Sequence, residues 1–345
     1  MITLYLGVDI AKRTLDAAVW GATGGTWLGT FANDTDGFEQ LAIQVDRQRI
    51  EQQATQVRLV LEPTGGYELG LVVYSLGQEW QISLPNPKTV RQWGKATGRR
   101  AKTDRQDALL LAHYGAECQP PVRHLLPAVV EELDNLLERR EDLKKLLRSE
   151  CNRLEALRQR PPGPYRPRAV VESLERVIDQ LTQEEAAIAE AIKGLLNESP
   201  ELRDKVKRLL TIPGVGPVVS LPLLVLLYRW DTITQGQGRA KSLTAFVGLD
   251  PVLRQSGQMV FGRATISRTG DPSLRAVLYM GALGGVRGQN PLRHFYTQMV
   301  ARGKAKRLAL VAASRKILVW AWAIFRSNQS FDPTRFAHLD AALLT

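Results

Sequence analysis

The chain has 345 residues, 44% of them hydrophobic, and a formal net charge of +11. That is enough length for two or three domains with their own cores, and the charge favours a polyanionic partner. Two cysteines exclude a disulfide scaffold and fit a reducing cytosol.

Residues 4–11 read as a buried strand carrying a lone carboxylate, Asp9. Asp9, Lys12 and Arg13 interrupt the first apolar run, so no secretory leader is read there. Residues 16–20 and 26–31 flank Gly24-Gly25 and read as a hairpin. A helix is expected over 36–49. Residues 57–61 form a second apolar strand leading to Glu62, closed by Pro63 and Gly65, and residues 81–85 a fifth strand. Asp9 and Glu62 thus stand at the tips of two apolar strands, which can be neighbours in a mixed sheet. A buried acid there needs a partner or a metal.

Residues 88–105 carry seven Lys or Arg and one acid, Asp104. Lys88, Arg91, Lys95, Arg99, Arg100, Lys102 and Arg105 are candidate DNA or RNA contacts, and Trp93 a candidate stacking surface for a base. Asp104 and Asp107, three apart at the start of a helix, share one face. Alone, such a pair is more often a solvated face with local ion pairs. Together, Asp9, Glu62, Asp104 and Asp107 make a set of four carboxylates able to converge on one or two Mg²⁺, a hard cation that takes oxygen ligands and works on phosphate.

The order strand-Asp, hairpin, strand-Glu, helix-Asp-x-x-Asp resembles the ribonuclease-H-like nuclease domain of the RuvC type. The spellings Gly7-Val8-Asp9-Ile10-Ala11-Lys12, Leu61-Glu62-Pro63-Thr64-Gly65 and Lys102-Thr103-Asp104-Arg105-Gln106-Asp107-Ala108 resemble the DEDD transposases of bacterial insertion sequences, the IS110/IS1111 group that includes the Piv-type DNA invertases. The resemblance implies an α/β RuvC-like N-terminal domain in which these four acids hold Mg²⁺.

Residues 129–160 and 169–196 carry apolar residues at helical spacing on either side of Pro161-Pro162-Gly163-Pro164. They read as an antiparallel helical hairpin, or coiled coil. It is either a plain intramolecular pair or an arm joining protomers, and the resemblance implies the latter. Residues 209–220, with Gly214 and Gly216 between two helical runs, read either as a helix-hairpin-helix turn offering N–H groups to a phosphate or as an ordinary turn. The apolar run 212–228 is broken by Pro213, Pro217 and Pro222, and 308–325 holds Arg315 and Lys316, so neither reads as a membrane span.

Residues 245–279 resemble the C-terminal domain of the same transposases, which makes Ser256 the family's nucleophilic serine. A serine needs activation. No histidine is near it in sequence, and Arg254, Arg263, Arg268 and Arg275 suit phosphate rather than proton removal. The implied active site is therefore composite, drawing on the metal site of the other domain.

Three domains are expected: 1–125 catalytic, 126–200 helical arm, and 201–345 a mainly α basic domain with 21 basic against 7 acidic residues. The implied function is that of a cytoplasmic DNA transposase or recombinase working through a transient serine–DNA bond. Its implied partners are donor and target DNA, an element-encoded guide (bridge) RNA and its own copies in a dimer or tetramer. A junction nuclease without a covalent intermediate is the alternative. An actin-like ATPase, which wants a glycine soon after the first Asp, and a non-catalytic nucleic-acid binder rank lower.

Overall fold

The computed structural model describes residues 2–98, 103–252, 255–256, 260–261 and 265–336. The chain divides into two compact units, Met1–His124 and Leu125–Thr345.

The first unit is built on five strands and four helices: β1 (Thr3–Ile10), β2 (Thr14–Gly21), β3 (Gly24–Ala32), α1 (Thr35–Glu51), β4 (Gln56–Leu61), α2 (Leu69–Gly77), β5 (Gln81–Ser83), α3 (Pro87–Ala96) and α4 (Asp104–Cys118). The sheet order is β3-β2-β1-β4-β5. The pairs β1–β2 and β2–β3 are antiparallel, and β1–β4 and β4–β5 parallel. This mixed α/β sheet agrees with the ribonuclease-H-like expectation in its strands and hairpin. β5 is shorter than the apolar run suggests, because Pro85 has no N–H to give a ladder.

Leu4, Leu6, Val8, Leu59 and Leu61 are buried beneath Phe38, Leu41 and Val45 of α1. Parallel strands covered on both faces read as near-continuous apolar runs, which is why β1 and β4 were legible. On the other face, α4 lies directly on β1. A Cβ on Gly7 would stand 2.2 Å from Ala108 O and from Ala112 N, and one on Gly115 2.7 Å from Val60 Cγ2. Only small residues permit this approach.

The second unit begins with two 31-residue helices, α5 (Ala128–Arg158) and α6 (Arg168–Glu198). Arg158 meets Glu175 and Arg140 meets Glu185, each at 2.7 Å, which fixes an antiparallel register. Next come α7 (Pro200–Leu209), α8 (Pro217–Thr234), α9 (Ala240–Phe246), the two-residue strands β6 (Pro251–Val252), β7 (Gln255–Ser256), β8 (Val260–Phe261) and β9 (Thr265–Ile266), and then α10 (Pro272–Gly285), α11 (Pro291–Ala301) and α12 (Lys306–Ser327). α12 is long and apolar enough to cross a membrane, but 72% of its apolar window is buried in this unit's core. Its Lys316 ammonium lies 4.1 Å from the Phe295 ring centre and 5.3 Å from that of Trp320, an aromatic setting that accommodates a buried cation.

Candidate nuclease cleft and serine hairpin

The parallel register pairs Val8 with Leu61, so Asp9 and the next residue after β4, Glu62, fall side by side at the carboxyl ends of adjacent strands. Such ends are where open α/β sheets bind ligands. Two side chains set the loops that leave these tips. The Asn33 amide donates to Ala11 O and Tyr67 O, both at 3.1 Å, tying the β1–β2 turn to the loop after Glu62. Glu68 is buried and accepts from Thr64 N, Thr64 Oγ1 and Gly66 N. Burial pushes its carboxyl up, but these bonds outweigh that and hold it below the usual range.

α4 brings the other two acids. Thr103 caps it by accepting from Gln106 N, and Asp104 and Asp107 occupy the first turn, where the helix dipole favours negative charge. Because Gly7 lets α4 onto β1, that turn lies beside Asp9. All four carboxylates line one cleft of about 930 Å³, with Arg91 and Lys95 of α3 on its wall. Asp9 is raised above the usual carboxylate range, first by burial and then by Asp107, Asp104 and Asp16. Glu62 is raised by burial and by Asp9 and Asp107, while Arg91 draws it down. The repulsion reports that the acids face one another. Among the described residues no three His, Cys, Asp or Glu side chains stand close enough to share an ion. The donor set of hard carboxylate oxygens, crowded and mutually repelled, nevertheless fits a divalent cation.

Asp16 escaped the sequence-based expectation. It pairs with Asp9 across β1–β2 and accepts from Thr30 Oγ1 at 2.6 Å. The period-two spacing of β2 places it on the Asp9 face, but nothing in its sequence context marks it.

The other basic candidates separate. Lys88 is exposed on α3, and Arg105 lies over the Trp27 ring at 5.8 Å. Arg99, Arg100 and Lys102 lie outside the described residues. Trp93 is half-buried, edge-on to His113 at 5.0 Å and to Tyr114 at 5.5 Å, so its ring is engaged in packing.

In the second unit Ser256 stands on β7, paired with Val260 of β8, and this hairpin is nested within the β6–β9 pair. Its stem is fastened at several points. Ser267 N donates to Asp250 O at 3.0 Å, Ser267 Oγ to Asp250 Oδ1, and Arg268 N to Gly248 O at 3.2 Å. Arg275, read from the sequence as a phosphate contact, instead donates to Val247 O at 3.2 Å and to Gly270 O. Its guanidinium serves the stem. Arg268 is exposed, with φ +58°, and Arg254 and Arg263 lie outside the described residues. Gly214, at φ +90°, meets α10 backbone: a Cβ there would lie 2.5 Å from Gly281 O. Gly216 faces open space.

Two family models match this chain: a transposase model, DEDD_Tnp_IS110, over residues 6–160, and the transposase IS116/IS110/IS902 family over residues 206–297. The pilin gene-inverting protein of Moraxella lacunata is 33% identical over 334 residues, which is 96% of this chain and 98% of that protein. The chain belongs to the IS110 family of transposases. The pilin gene-inverting protein of Moraxella bovis is 32% identical over the same span. Among solved structures, T. thermophilus RuvC in complex with Holliday junction substrate covers 34% of this transposase at 14% identity and a TM-score of 0.25, too slight a likeness to bear on the fold. As a member of this family the transposase is an enzyme that cleaves and rejoins DNA. Asp9, Glu62, Asp104 and Asp107 lie within the first matched segment, and Ser256 within the second.

Proposed function

We propose that this transposase cuts one DNA strand at the cleft of Asp9, Glu62, Asp104 and Asp107 and carries that strand through a covalent bond to Ser256. The observation that carries the reading is the meeting of four carboxylates, from two strand tips and one helix turn, in one cleft walled by Arg91 and Lys95. When bound by these acids, Mg²⁺ supplies charge to the scissile phosphate and to the departing 3′ oxygen. The chain's own groups do the rest. The carboxylates fix the ion's place, and Arg91 and Lys95 draw in the phosphodiester. Ser256 Oγ attacks phosphorus and loses its proton, the phosphorus–O3′ bond breaks, and the freed 3′ oxygen takes up a proton. The serine phosphoester conserves the bond energy until a second 3′ hydroxyl displaces it.

Within this reading residues 1–125 are the nuclease, 126–200 a helical arm that joins protomers, and 201–345 the basic domain. The turn at Gly214 and Gly216 offers N–H groups to a DNA phosphate. A guide RNA pairs with donor and target DNA and carries sequence choice.

Two variants test it together. Asp104→Ala/Asp107→Ala is expected to bind DNA and leave it uncut. Ser256→Ala is expected to bind DNA and Mg²⁺ but to give no protein–DNA adduct on denaturing gels. Ser267→Ala, whose hydroxyl is tied to Asp250, is expected to retain adduct as the control. Wild-type cleavage without any adduct would favour a simple junction nuclease.

A further inference from the structure

The cleft is not acidic throughout. Beyond the carboxylates it is lined by Trp20, Gly25, Val90, Leu109 and Leu110. A phosphodiester held by four acids and two cations needs oxygen ligands and charge, and leucine, valine and indole supply neither.

Two independent paths measure how far this apolar end lies from the acids. Along β2, Asp16 pairs with Asp9 and Trp20 with Tyr5. Asp16 and Trp20 share one face and stand four residues apart, about 13 Å. Along α4, the chain rises from Asp107 beside Asp9 to His113 beside Trp20, about 9 Å. Trp20 and His113 are stacked, with ring centres 3.8 Å apart and planes 15° apart, and His113 is held edge-on by Trp93. The indole is thus backed by a fixed aromatic ladder rather than swinging freely. Gly25 sits across from Trp20, and a Cβ there would come within 2.7 Å of the indole. The absent methyl group keeps that edge of the ring clear. Gln106, in the first turn of α4 with the acids, also lines the cleft and carries both a donor and an acceptor.

A flat, apolar group with a polar edge, tethered to a phosphate about 10 Å away, matches this end. We propose that the apolar end of the cleft takes one unstacked base of the DNA strand held at the carboxylates, with Trp20 as its platform and Gln106 at its edge. The base belongs to a nucleotide within about three of the cut phosphate, since a stacked strand rises roughly 3.4 Å per nucleotide and an unstacked one more. Aromatic platforms of this kind accept any base, because every base has a π face. The proposal rests on the reading of the carboxylate cleft as the place of strand cleavage.

The test uses the full chain and a short single-stranded oligodeoxythymidylate carrying one 5-iododeoxyuridine, irradiated in chelator so that nothing is cut. Peptide mapping is expected to place a crosslink on Trp20. Trp20→Leu is expected to lose that crosslink and to bind the oligonucleotide roughly tenfold more weakly, while an abasic strand of equal charge binds both proteins alike. Trp20→Phe, which retains a ring, is expected to recover most of the affinity, and this separates stacking from misfolding. Crosslinks that fall only elsewhere, or equal preference for base over abasic strand in wild type and Trp20→Leu, would overturn the subsite. The cleavage assay with Asp104→Ala/Asp107→Ala distinguishes the two levels. If that variant fails to cut and Trp20 takes no crosslink, the subsite alone is wrong; if it still cuts, the reading of the cleft and the subsite fall together.

Discussion

Asp9 illustrates how a functional group is held against its own preference. It is partly buried and faces Asp107, Asp104 and Asp16, so its carboxyl is raised from the ordinary 3.8. A carboxyl with a raised folded-state pKa holds its proton more tightly folded than unfolded. It therefore weakens folding above the raised value, progressively less as pH falls through the window, and not at all below the unfolded value. Asp9→Asn is thus expected to raise the thermal midpoint in chelator at pH 8, each kcal/mol appearing as about 2–4 °C in a protein of this size class. That gain should shrink on acidification and vanish below pH 3.8. Thermal unfolding followed by circular dichroism across pH checks this, and a gain that grows on acidification would contradict it.

At the scale of elements, the seating of α4 on β1 decides whether there is a site. Gly7 stands against the backbone of Ala108 and Ala112, so an added methyl group has no flexible side chain to displace. Gly7→Ala is expected to cost at least about 3 kcal/mol, the upper end of ordinary overpacking, and to reduce cleavage by moving Asp104 and Asp107 away from Asp9. Denaturant midpoints and cleavage rates measured on the same preparation check both. Gly65→Ala, in a loop where a Cβ meets nothing but φ is +73°, should cost less. The α4 seating was only half legible: the spacing of Asp104 and Asp107 gave their shared face, but the reason Gly7 must be glycine appears only when the helix is docked. The two long helices, by contrast, were legible almost to the residue, because their apolar spacing is local and the prolines between them end both.

For the whole molecule, charge is distributed unevenly. Residues 201–345 carry 21 basic and 7 acidic side chains, while residues 1–115 are balanced at 12 of each. The salt dependence of DNA binding is therefore expected to come mainly from the C-terminal part. Replacing Arg254, Arg263 and Arg268 with alanine should flatten the log–log salt slope by up to about 0.9 for each DNA phosphate no longer neutralised. Fluorescence anisotropy over a salt series measures it, and an unchanged slope would place the footprint elsewhere. Arg275→Ala should act differently, loosening the stem around Gly270 and lowering stability, because its donors are already satisfied by backbone carbonyls.

The sequence by itself determined the strands, the hairpin, the long helices and the identity of the four acids. Each of these is written in local periodicity or in a short spelling around one residue. Tertiary structure alone decided what those residues meet. It made Asp9 and Glu62 neighbours through a parallel register between strands about fifty residues apart in sequence, and it added Asp16 to the acidic group. It also drew Trp93 and Arg275 from expected nucleic-acid contacts into packing and stem hydrogen bonds, and it opened the cleft beyond the acids toward Trp20. The physical reason is the same throughout: propensity and pattern act over a few residues, whereas burial, repulsion between carboxylates and the partners of an aromatic ring depend on segments far apart in the chain.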